Sequence, residues 1–152
     1  MKTAMIYPFL CLTLFITLYV ILPITANASA AMLNLREYKG RVCYDGDTCY
    51  VQMAALPKTL RKMSVRVLGI DTPEIRGKCD KEKELALKAR EFANKTFSEA
   101  KIIKFSDLKW DKYGGRILSN VYLDGYLYAD MIINEGLARP YDGGTKEGWC
   151  NE

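Results

Sequence analysis

The stretch Arg66 to Glu74 reads Arg-Val-Leu-Gly-Ile-Asp-Thr-Pro-Glu and places the tightest restriction on what this chain can fold into. Its first half is apolar and β-branched, the pattern of a buried strand, and its second half sets two carboxylates around a Thr-Pro turn. The proline biases Thr72 away from helical geometry, so the chain leaves the strand in an extended turn that aims Glu74 at a fixed point. Strict alternation sends Arg66 and Asp71 to opposite faces of a sheet. A bulge or bend at Gly69 would bring them together.

Strands are expected on both sides of this stretch. Gly40 to Tyr44 and Thr48 to Met53 read as two strands joined by the turn Asp45-Gly46-Asp47, and Arg61 to Ile70 as a third antiparallel strand. From Asp80 to Ala100 the period changes. Leu85, Ala89, Phe92, Ala93 and Thr96 recur at helical spacing, and Glu82, Glu84 and Glu91 fall to a solvated face. Lys101 to Ser106 and Arg116 to Leu123 read as the fourth and fifth strands. Between them Gly114 and Gly115 let the backbone turn and present Arg116 at a strand start. A short helix is expected from Tyr128 to Glu135 with Gly136 as its C-cap, then an irregular tail from Arg139 to Glu152.

Lys2 is followed by an uncharged apolar run from Ala4 to Ile24 and then by small-residue sites at Ala26-Asn27-Ala28 and Ala28-Ser29-Ala30. This is the form of a secretory signal over residues 1–28, leaving 29–152 as one modest domain. The alternative is an uncleaved N-terminal anchor with the domain facing outside, because the run is nearly long enough to span a bilayer. Cys11 would leave with the signal. Cys43, Cys49, Cys79 and Cys150 remain, and in an exported chain four cysteines point to two disulfides with three possible connectivities. Cys43 and Cys49 lie symmetrically about Gly46, and a Cys79 to Cys150 bond would tie the tail to the loop after Glu74. The net charge of +4 permits a polyanionic partner without requiring one.

With no histidine in the chain, Ser-His-Asp and Cys-His catalysis are excluded, as is any zinc site that needs imidazole. Asp47, Asp71 and Glu74 come from two separate turns and offer the hard oxygen donors that suit Ca²⁺ or Mg²⁺. They do not form an EF-hand, since the twelfth position counted from Asp45 is Leu56. Arg66 and Arg116 add two guanidinium forks that match phosphate oxygens. A divalent cation and two arginines around a phosphodiester would neutralise the charge that develops as a nucleophile attacks phosphorus. Taken singly, Asp45 and Asp47 read equally well as turn formers, Arg66 as a surface strand residue and Glu74 as a solvated acid. Their joint presence is what points to chemistry.

Three segments in order carry a family resemblance: Asp45-Gly46-Asp47-Thr48, Arg66 through Asp71-Thr72-Pro73-Glu74, and Asp111-Lys112-Tyr113-Gly114-Gly115-Arg116. Together the chain resembles the staphylococcal-nuclease-type thermonucleases from about Gly40 to Tyr141. The resemblance implies a mainly β fold, a five-stranded OB-fold barrel with packed helices. It also implies Ca²⁺-dependent endonucleolytic cleavage of DNA and RNA that leaves 3′-phosphates, by a protein expected to be a monomer. By position, Asp47 and Asp71 resemble carboxylate ligands of Ca²⁺, and Thr72 a carbonyl ligand. Glu74 resembles the residue that handles the attacking water. Arg66 and Arg116 resemble the phosphate-binding pair, Asp45 an outer-shell acid, and Lys112, Tyr113 and Tyr141 nucleotide contacts. Tyr113 and Tyr141 would offer aromatic faces to unpaired bases. One extra glycine before Arg116 and a short sequence after Tyr141 depart from the family pattern. The competing expectations are a non-catalytic OB module that binds nucleic acid or protein, and a disulfide-stapled surface-binding domain with a fortuitous acidic cluster.

Overall fold

A computed structural model describes residues 33–59 and 61–150 of the chain. The expected signal over residues 1–28, with Cys11, lies outside the described residues. Five strands form one hydrogen-bonded path: β1 (Leu33–Leu35), β2 (Thr48–Met53), β3 (Lys62–Val67), β6 (Arg116–Leu123) and β5 (Ile103–Trp110), in that spatial order. Two short strands, β4 (Ile70–Asp71) and β8 (Arg139–Pro140), pair with each other, and β7 (Tyr126–Leu127) adds to β6. The curled sheet, packed against helices α1 (Asp80–Glu99) and α2 (Tyr128–Asn134), is a barrel of OB type.

Alternation along the strands divides the barrel into inside and outside. Val51 on β2, Val65 and Val67 on β3, and Ile117, Val121 and Leu123 on β6 point into the core, while Arg66 and Arg116 point outward. The β3–β6 pairing is parallel, with Arg66 opposite Leu118 and Ser64 opposite Arg116. Both arginines therefore share one outer face, two pairs apart.

Helix α1 covers the open side of the sheet with a narrow face of small side chains. Ala86, Ala89 and Ala93 are buried, and Phe97 completes the stripe at its far end. The expected Leu85, Phe92 and Thr96 sit at the margin of that face, only partly covered. Phe97 meets Tyr128 of α2 edge to face with ring centroids 4.8 Å apart, and its burial contributes about 2 kcal/mol.

The first expected strand is not formed. Gly40 to Tyr44 makes only isolated bridges, Tyr38 to Arg41 and Cys43 to Cys49. A turn with positive φ at Lys39 and Gly40 opens it, and Asn94 of α1 then takes over three of its backbone groups. The side-chain oxygen of Asn94 accepts from Val42 N at 2.8 Å and Cys43 N at 3.0 Å, and its amide donates to Cys43 O. β1, further back in the chain, fills the edge position instead. The fourth strand runs longer than expected, to Trp110, because a register shift between Ser106 and Lys109 lets pairing resume beyond Asp107.

Both disulfides of one expected connectivity are present, Cys43–Cys49 and Cys79–Cys150. The second closes a loop between cysteines 71 positions apart, so it restricts the unfolded chain far more than the first, whose cysteines are 6 apart. Cys79→Ser with Cys150→Ser is expected to lower the unfolding free energy by about 4 kcal/mol on the chain-entropy account. Denaturant titration checks this. A loss below about 1 kcal/mol would show that the tail docks on its own contacts.

Candidate active site

The turn Asp45-Gly46-Asp47 is wedged into the molecule rather than displayed as a free hairpin. Asp45 is buried, and its Oδ1 accepts from Asp47 N at 3.2 Å and Thr48 N at 2.7 Å, closing the turn on itself. Gly46 carries no side chain because there is no room for one. A Cβ there would stand 2.8 Å from Thr72 Cγ2 and 2.9 Å from Ala89 Cβ. Its carbonyl accepts a 2.7 Å hydrogen bond from the hydroxyl of buried Tyr128. Tyr128→Phe is therefore expected to cost about 1–3 kcal/mol, since it leaves a buried carbonyl without its donor. Equilibrium unfolding measures it, and a cost under about 0.5 kcal/mol would mean that the carbonyl finds another partner.

The bend expected at Gly69 is present, with φ of 81°. It ends β3, turns the chain and starts β4, so that Arg66 and Asp71 meet despite their odd spacing. Arg66 Nη1 donates to Asp47 Oδ1 at 2.8 Å, and Nη2 lies 3.9 Å from Asp71 Oδ1. Among the described residues, Arg66 Nη2 and Asp47 Oδ2 are both buried with no hydrogen-bond partner. Thr72 is buried beside Gly46, and Glu74 stands at the surface with its side chain 51% exposed. Burial first, and the charges of Asp47 and then Glu74, push the Asp45 carboxyl up to about 7, against the pull of the two N–H donors in its turn.

Arg116 is on the same face as Arg66, but its guanidinium is held by Asp111, Nε to Oδ2 at 2.5 Å. The extra glycine is absorbed by two successive left-handed residues, Gly114 with φ 67° and Gly115 with φ 61°. Asp111 also accepts from Tyr113 N at 3.2 Å. Burial acts to raise the Asp111 carboxyl, but these donors and the arginine charges outweigh it and hold it below the usual range. Tyr113 is 72% exposed, with its ring 5.3 Å from the Arg116 guanidinium and 5.1 Å from Lys112 Nζ.

A cavity of about 1000 Å³ opens beside Arg66 and Asp71, walled by Leu118 and by the tail residues Tyr141, Thr145 and Lys146. Tyr141 is tied down. Its N–H donates to Gly69 O at 2.9 Å and its hydroxyl to Gly144 O at 2.8 Å.

Three site residues escaped the sequence argument. Glu82 is buried, not solvated. Its carboxylate accepts from Lys78 N at 2.8 Å and Glu74 N at 3.4 Å, which fixes the loop that carries Glu74. It occupies the third helical position after the N-cap Cys79, but with a cysteine at the cap no capping-box pattern announces it in the sequence. Trp149 is buried, and its Nε1 donates to Asp71 Oδ2 at 3.3 Å. Lys146 Nζ lies 2.5 Å from Asp71 Oδ1 and 3.4 Å from Glu74 Oε1. Burial pulls its ammonium down, yet the bond and charge of Asp71 prevail and raise it. Cys79, Cys150 and Glu82 also bring three donor atoms within 4.8 Å of one another, but both sulfurs are spent on the disulfide and make no metal site.

An OB barrel with buried acids from two turns, clamped by one arginine beside a cavity, defines a class of barrel proteins with a carboxylate and guanidinium site at the barrel surface. Residues 64–148 match the family model described as staphylococcal nuclease homologue. The chain is also 29% identical over 114 residues to a protein named thermonuclease from Staphylococcus hyicus, a match that covers 74% of this chain and 64% of that relative's length. This chain belongs to the staphylococcal nuclease homologue family.

Proposed function

We propose that the protein is a Ca²⁺-dependent endonuclease that hydrolyses phosphodiester bonds of DNA and RNA with little sequence preference and leaves 3′-phosphate ends. The observation that carries this reading is the posture of Arg66. One guanidinium nitrogen is hydrogen-bonded to Asp47 while the other, buried without a hydrogen bond and 3.9 Å from Asp71 Oδ1, belongs to a side chain that lines a cavity large enough for a nucleotide. A fork hydrogen-bonded at one tine only is suited to turn the other to a phosphate oxygen.

The donor set fits a hard divalent cation. Asp45, Asp47 and Asp71 are buried together, and Asp47 Oδ2 takes no hydrogen bond among the described residues. Asp47 and Asp71 would hold Ca²⁺ through their carboxylates and Thr72 through its carbonyl. The bound ion would supply charge neutralisation at the phosphate. Arg66 Nη2 donates to a non-bridging oxygen and stabilises the charge that grows there. Arg116, turning from Asp111 toward the same face, adds a second fork. Glu74 takes the proton of the attacking water from its exposed position, the P–O5′ bond breaks, and the departing 5′-oxygen takes a proton from solvent. Lys112, Tyr113 and Tyr141 contact the nucleotide on either side, with Tyr113 free to stack on an unpaired base.

The reading extends to an exported, monomeric protein, periplasmic or secreted, with residues 1–28 removed as a signal. Two disulfides favour an oxidising compartment. The test is degradation of single-stranded DNA by protein lacking residues 1–28, with Ca²⁺ and with a chelator, followed by identification of the product ends. Ca²⁺-dependent release of 3′-phosphates is the expected result. DNA that is bound and left intact would make the protein a non-catalytic OB module, with Arg116 locked on Asp111 as the physical reason.

A further inference from the structure

The two side chains that close on Asp71 from the tail arrive from a fixed anchor. Trp149 is buried with its ring 3.7 Å from the Arg139 guanidinium, and the next residue, Cys150, is bonded to Cys79. β8 adds a second fastening, since Arg139 pairs with Asp71 itself in the β4–β8 register. Lys146 lies between these two fastenings, so its ammonium is presented to Asp71 at high effective concentration.

Its target oxygen is the one a metal ion would need. Asp71 Oδ1 has Lys146 Nζ at 2.5 Å on one side and Arg66 Nη2 at 3.9 Å on the other, both as ion pairs without hydrogen-bond alignment. Ca²⁺ takes carboxylate oxygens at about 2.3–2.6 Å, the same range that the ammonium now occupies. An ammonium has no lone pair to offer a metal, so it cannot join the coordination shell. Two cations on one oxygen would stand within about 4 Å and repel each other.

We propose that Lys146 is a resident counter-ion of Asp71 and Glu74 that a divalent cation must displace, so that the disulfide-anchored tail sets the metal affinity of the site. The inference rests on the Ca²⁺ site proposed above. Once displaced, Lys146 remains on the wall of the 1000 Å³ cavity with Arg66 and Tyr141, where its charge faces an incoming phosphate. Metal binding and the release of this wall ammonium from the carboxylates are thereby one event.

The experiment is a calorimetric Ca²⁺ titration at low ionic strength, without nucleic acid, on disulfide-intact protein. It compares wild type with Lys146→Met, Lys146→Arg and Lys58→Met. Lys146→Met keeps the apolar stem and removes the charge, and it is expected to bind Ca²⁺ roughly tenfold more tightly, a modest gain because the side chain is 39% exposed. The gain should shrink as salt is added. Lys146→Arg, which keeps the charge, and Lys58→Met, which lowers the net charge at a distant exposed loop, should both stay close to wild type. Equal affinities for wild type and Lys146→Met would overturn the counter-ion role and leave the Ca²⁺ site standing. A matching gain in Lys58→Met would reduce the effect to net charge and overturn it as well. Absence of Ca²⁺ binding in all four proteins would overturn both the counter-ion and the Ca²⁺ site.

Discussion

Arg66→Lys is expected to lower the rate of DNA cleavage by about 10²–10³-fold with the fold unchanged, the range for loss of one charge-stabilising donor. The arginine does two jobs with one planar group. Nη1 holds Asp47 at 2.8 Å, and Nη2 is buried without a hydrogen bond, 3.9 Å from Asp71 Oδ1. A lysine keeps the charge but concentrates it at one nitrogen, which would settle on Asp47 or Asp71 and leave no second donor for the phosphate. The comparison is kcat/KM on single-stranded DNA at saturating Ca²⁺, alongside a thermal unfolding curve. A rate within a few-fold of wild type would remove Arg66 from the chemistry and leave it as a clamp between two acids.

Glu74→Gln separates binding from turnover. The glutamine has the same shape, and the loop that carries it is fixed through backbone bonds to Glu82 that the substitution does not touch. Ca²⁺ and nucleotide binding should persist, while kcat falls by about 10²–10⁴-fold for want of a group that accepts the proton. Calorimetry for binding and a single-turnover cleavage assay check the two halves independently. Unchanged turnover would exclude Glu74 as the base and point to a proton acceptor outside this loop.

Elements whose patterns are local were legible in the sequence. The expected helix from Asp80 to Ala100 is α1 at Asp80–Glu99, and the strand Arg116 to Leu123 is β6 with the same bounds. Gly69 announced the bend that joins Arg66 to Asp71, because a glycine inside a strand pattern has few other uses. Elements settled by distant partners were not legible. Gly40 to Tyr44 has a strand's composition, yet Asn94, more than fifty positions away, takes its N–H groups. Glu82 looked solvated because helical periodicity places it but says nothing of the loop folded over it. Lys146 and Trp149 lie in a glycine-rich tail without periodicity, and only the β4–β8 pairing and the Cys79–Cys150 bond carry them to Asp71. The parallel β3–β6 pairing puts both arginines on one face, and strand order of that kind is a tertiary choice.

The contact between Trp149 and Asp71 also has a consequence in time. Synthesis proceeds from the N-terminus, so Asp47, Arg66 and Asp71 are made well before the indole that fixes one of them. Until the tail is threaded into place, Asp71 has neither the Trp149 donor nor the Lys146 ammonium, and of these charged and donor groups only Arg66 faces it, while Asp47 is held by Arg66 and the Thr48 hydroxyl. A chain still on the ribosome therefore carries an unfinished site.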